Sequence, residues 1–111
     1  MNMQSVKIAG SARDIEIADT VDLVLADCLA RAAAGENEAI YELGVAYSTG
    51  SHGVNCDLVE AHKWFNIAAA SGHEEAALCR ADIAREMSRM EIAEAQREAR
   101  RWLAQDTRRA A

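Results

Sequence analysis

Proline is absent from this sequence, and aromatic side chains are scarce: two Trp, two Tyr and one Phe in 111 residues. The first absence removes the strongest helix breaker. The second rules out a core built mainly from rings. Runs of Val, Ile and Thr that would mark strands are missing too. No stretch approaches the roughly 20 apolar residues of a membrane span. Cys28, Cys56 and Cys79 are odd in number and include no CxxC pair. Such usage predicts free thiols in a reducing compartment rather than a disulfide framework. The opening residues lack the unbroken apolar run of a secretory signal. A cytoplasmic protein with no membrane partner is the expectation.

What is present points to helices. Half of the residues are apolar, and alanine leads them, which favours helices that approach closely. The net charge is −6, a poor match to a phosphate-binding surface, so nucleic acid is not the expected partner. The charge is also uneven. Residues 1–60 hold three basic and ten acidic side chains, and residues 61–111 hold nine and eight. The arginines gather late, at Arg97, Arg100, Arg101, Arg108 and Arg109.

Periodicity divides the chain into an arm at 1–13, a helical region at 14–105 and a frayed tail at 106–111. The first helix is expected from about Asp14. Ala18, Val21, Leu25, Cys28, Leu29 and Ala32 fall on one face of it, and Gly35 ends it. The second is expected over 37–49 with Ile40, Leu43 and Tyr47 inward, before a loop flanked by Gly50 and Gly53. Asp57 has the side chain of a helix N-cap. It opens a third helix carrying Leu58, Ala61, Trp64, Phe65, Ala68 and Ala69, which closes at Gly72. A fourth follows over 74–87, with Ala76, Cys79, Ile83 and Met87 inward. Ser88 and Glu91 fit a capping box. The fifth helix then presents Ile92, Ala95, Ala99, Trp102 and Leu103, and is expected to fray after Gln105.

The sequence also repeats itself. EAHKWF at 60–65 matches EARRWL at 98–103, 38 residues later. AAAGENEA at 32–39 matches AAASGHEEA at 68–76, at a displacement of 37 when Ala32 is set on Ala69. A period in the high thirties with two helices per unit marks a helical solenoid. Residues 39–76 read A-x3-LG-x2-Y-x2-G-x2-GV-x2-D-x3-A-x2-WF-x2-AA-x2-G-x3-A. This pattern resembles the Sel-one-like repeat, a relative of the tetratricopeptide repeat. The resemblance implies an all-α fold, an α/α right-handed superhelix of about five antiparallel helices with one full repeat and partial ones. Leu43, Gly44, Tyr47, Gly50, Gly53, Ala61, Trp64, Phe65, Ala68, Gly72 and Ala76 would build the scaffold. Two departures stand out: the 50–54 loop is one residue longer than the family's, and the second unit has Met87-Ser88 in place of the glycine loop.

Residues able to carry chemistry do not converge. His52, Cys56, His62 and His73 lack the compact ligand pairs of a zinc site. Cys28 and Cys79 lie on inward faces. Cys56 precedes the Asp57 cap and is the thiol worth testing, although no base accompanies it. No Ser–His–Asp set or phosphate loop appears. The expectation is a protein without catalytic, cofactor or metal residues. By resemblance to tetratricopeptide units, a partner protein or peptide would bind on the concave face. Glu38, Tyr41, Val45 and Ser48 would line it on the second helix, with Glu75, Leu78, Asp82 and Arg85 on the fourth. Fewer than three units leave apolar ends, so a homodimer is a further expectation. The alternative is an RNA or nucleoprotein accessory bound through the arginine-rich last helix.

Overall fold

The computed structural model describes residues 23–110, with side chains to residue 105. The expected arm at 1–13, the expected helix start near Asp14 with Ala18 and Val21, and the side chains at 106–111 lie outside the described residues. The described residues form five helices and no strand. They are α1 (23–33), α2 (Asn37–Thr49), α3 (Leu58–Ala70), α4 (Glu74–Ala84) and α5 (Arg89–Ala110).

Local chemistry explains where these helices begin and end. Gly35 at φ 91° and Gly72 at φ 94° supply the left-handed residue that closes α1 and α3. Their turns are bonded alike. Gly35 N–H donates to Ala32 O and Glu36 N–H to Arg31 O; Gly72 N–H donates to Ala69 O and His73 N–H to Ala68 O. The two turns thus share one pattern of backbone bonds, that of a glycine-closed helix end.

The connection from α2 to α3 turns on Gly50, Gly53 and His52, all left-handed. Asp57 N–H donates to Tyr47 O at 2.9 Å and closes the loop. The Asp57 carboxylate accepts from the N–H groups of Val59 and Glu60, as its position predicts. At the next connection, Ser88 N–H donates to Glu91 Oε1 and Glu91 N–H donates to Ser88 Oγ. That reciprocal pair is the expected capping box. One boundary differs. The helix expected to reach residue 87 stops at Ala84, because Arg85, Glu86 and Met87 donate to carbonyls three residues back and tighten into a turn. The backbone of α5 stays helical to Ala110, five residues past Gln105.

The core lies around α3, which packs on α2, α4 and α5. Leu43, Phe65 and Ile67 are its largest fully buried side chains, each contributing roughly 1.5–3 kcal/mol by leaving water. Around them sit Ala39, Ala61, Ala68, Ala76 and Ala99. These small residues let the axes approach. Gly44 takes this furthest: a Cβ there would come within 2.5 Å of the Phe65 ring.

Candidate protein-binding site

α2 and α4 lie side by side, and a polar cluster joins them. His73 is the N-cap of α4, with Nδ1 accepting the Ala76 N–H at 3.1 Å. Its proton therefore sits on Nε2, which donates to Glu38 Oε1 at 3.1 Å. The ring stacks on Tyr41 with centroids 4.3 Å apart. Tyr41 Oη donates to Glu75 Oε2 at 3.1 Å. Burial, then this bond to a carboxylate, pushes the Tyr41 phenol up to about 12.

The eight residues expected on one binding face are therefore placed unequally. Glu38, Tyr41 and Glu75 are engaged in joining α2 to α4. Val45 is half-buried beside the core. Ser48 donates to the Val45 carbonyl of its own helix. Asp82 and Arg85 pair with each other at 3.6 Å on the outside of α4. Leu78 alone is a large apolar side chain left open, at 71% exposure. The sequence reading gave His73 no part in this cluster. The signal for it was a cap-type position directly after Gly72, followed by the acidic first turn of α4.

A second feature is a cleft of about 760 Å³ bordered by residues of α1 and α2. Val24, Cys28, Val45 and Ala46 supply apolar wall, with Tyr41 at the α4 side. Arg31 stands in it, held by Asp27, Glu36 and Glu42 at 3.4–3.5 Å. Burial, with Glu42 nearby, raises the Cys28 thiol above its ordinary value and keeps it protonated.

Where α3 meets α5, the two copies of the E-A-x-[KR]-W motif face each other. Trp64 and Trp102 meet edge to face with centroids 4.9 Å apart. Lys63 Nζ lies 4.3 Å from the Trp64 ring centroid. It pairs with Glu60 at 2.9 Å in its own motif and with Glu98 at 3.8 Å in the other. Both tryptophans thus act in packing, and Ala61 and Ala99 are buried beside them.

The remaining candidates stay apart. Cys56 is exposed, and its thiol reaches the Ser48 carbonyl at 3.4 Å. His62 is buried in α3. Among the described residues no group of three or more His, Cys, Asp or Glu gathers as metal ligands. No described helix is long and apolar enough to cross a membrane. No family model, no curated protein and no solved structure matches this chain. Among the described residues the fold defines a class, that of the all-helical proteins.

Proposed function

We propose that this chain is a non-catalytic interaction module of the Sel-one-like kind, holding a partner protein on the surface of its first-in-pair helices. The observation that carries this reading is the packing of α2 against α4, with Leu78 of α4 left open to solvent. Adjacent first helices are the arrangement by which paired-helix solenoids make a continuous binding surface. Exposed Leu78 supplies an apolar anchor, and the Asp82–Arg85 pair supplies a polar rim.

The arginines of α5 give less support to an RNA reading. Arg97, Arg100 and Arg101 are exposed, but Glu91 and Glu94 are exposed on the same helix and break the positive track. The adaptor reading is tested by quantitative affinity capture from the native host. Wild-type chain and the double variant Val45→Asp, Leu78→Ser are compared, with circular dichroism verifying the fold. Proteins enriched by the wild type should be lost from the variant. An unchanged set would remove the reading.

A further inference from the structure

The molecule contains its own example of how a helix is seated. α2 rests against both α3 and α4, and the α3–α4 turn repeats the bonds of the α1–α2 turn 37 residues earlier. The corresponding faces of α1 and α2 border the open cleft of about 760 Å³. Apolar surface continues to its mouth, where Leu23 is 70% exposed. The rim carries Asp27 and Glu42, and the one guanidinium between them is shared by three carboxylates. Across residues 23–60 there are six acidic side chains and one basic one. An apolar trough with an acidic rim selects a ligand that is apolar on one face and cationic beside it.

We propose that this cleft receives a basic amphipathic helix of a partner protein, seated on α1 and α2 as α2 is seated on α3 and α4. The proposal rests on the adaptor reading and specifies its partner. The face α2 buries shows what such a seat accepts. Ala39, Ile40, Leu43, Gly44 and Ala46 are the buried residues of α2, so small and aliphatic side chains at that spacing suit the occupant. Lysines or arginines flanking this stripe then reach Asp27 and Glu42. The same carboxylates repel phosphate, which disfavours a lipid headgroup or nucleic acid as occupant.

The test uses the full chain and two synthetic peptides of about 15 residues. Both carry Ala, Ile, Leu and Ala at the spacing of α2; the other positions are mostly Lys in one and mostly Glu in the other. Calorimetric titration should show the Lys peptide binding at least about tenfold tighter at low salt, with the advantage shrinking as salt rises. Glu42→Lys should weaken it about tenfold, while Met90→Ser, at an exposed apolar position on α5 away from the cleft, should leave it unchanged. Equal affinity for the two peptides, or no binding of either, would overturn the proposal. So would loss through Met90→Ser alone. Nuclear Overhauser contacts from Val24 and Val45 to the chain's own residues 1–22, or to a second copy, would overturn it in favour of those occupants. If the peptides fail while the capture experiment still distinguishes wild type from the double variant, the adaptor reading stands without this site. Failure of both removes both.

Discussion

The two helical hairpins of this protein differ sharply in how much of themselves they bury. In α3, six of 13 residues are buried; in α4, only Ala76 of 11 is. Both are short, alanine-rich and similarly capped, so propensity does not separate them. Position does. α3 has neighbours on three sides, α2, α4 and α5. Leu78 lies 37 residues after Tyr41 and occupies the equivalent place on α4, yet Tyr41 is covered by His73 and Leu78 is open. Among the described residues, α3 is enclosed by its neighbours and α4 is left largely open.

Core truncation should expose that difference most strongly. Phe65→Ala is expected to cost about 3–5 kcal/mol in urea unfolding. Its counterpart Leu103→Ala, at a half-buried site, should cost about 1–2 kcal/mol. Equal losses would refute the contrast. Enlarging residues comes next. Gly44→Ala drives a methyl against the Phe65 ring, and should cost about 1–2 kcal/mol even after the gain in helix propensity. Ala81→Leu, 37 positions later on exposed surface, should stay within about 0.5 kcal/mol.

Caps should erase the contrast, because they act locally. Asp57→Ala and Ser88→Ala are each expected to lower stability by about 1 kcal/mol. A much larger loss at Asp57 would mean that its bond network extends beyond the cap.

A gentler dependence is expected on pH. His62 is only 3% exposed and its Nδ1 has no hydrogen-bond partner. Burial, and then the Arg80 guanidinium, lower its pKa from the ordinary 6.5. The unfolded chain therefore binds the proton first as pH falls. The neutral-histidine contribution is complete above 6.5 and declines below it, towards the folded value. Unfolding midpoints measured down from pH 7.5 should decline less for His62→Leu than for the wild type. The smallest effect on stability belongs to Leu78→Ser, within about 0.5 kcal/mol.

Much of the fold was legible because it is written locally. The α2 span, the Asp57 cap, the glycine closures and the Ser88–Glu91 box each depend on neighbours within a few residues. Ala61, Trp64, Phe65 and Ala68 of α3 followed from their three- and four-residue spacing, whereas the buried His62 and Ile67 did not. What escaped was set by the neighbour across the gap. Tyr41 read as an outward position on α2, but it is half-buried and stacked under His73 at the start of α4; Glu38 is exposed, and its bond to His73 was not foreseen. The cleft beside Arg31 depends on how α1 sits against α2, which no spacing within either helix records. The early end of α4 arose from competition: Met87 continued the apolar period, while the turn before Ser88 required tighter bonding.

The contact between Trp64 and Trp102 also has a spectroscopic meaning. These are the only two tryptophans in the chain, and they meet where α3 packs on α5. All indole emission and most near-ultraviolet ellipticity therefore originate at one place. Two rings with centroids 4.9 Å apart should couple as excitons and produce a paired band in the circular dichroism. That band would disappear as soon as α5 lifts from α3, even while the helices themselves persist. The protein thus carries a natural optical gauge of whether its two hairpins are docked.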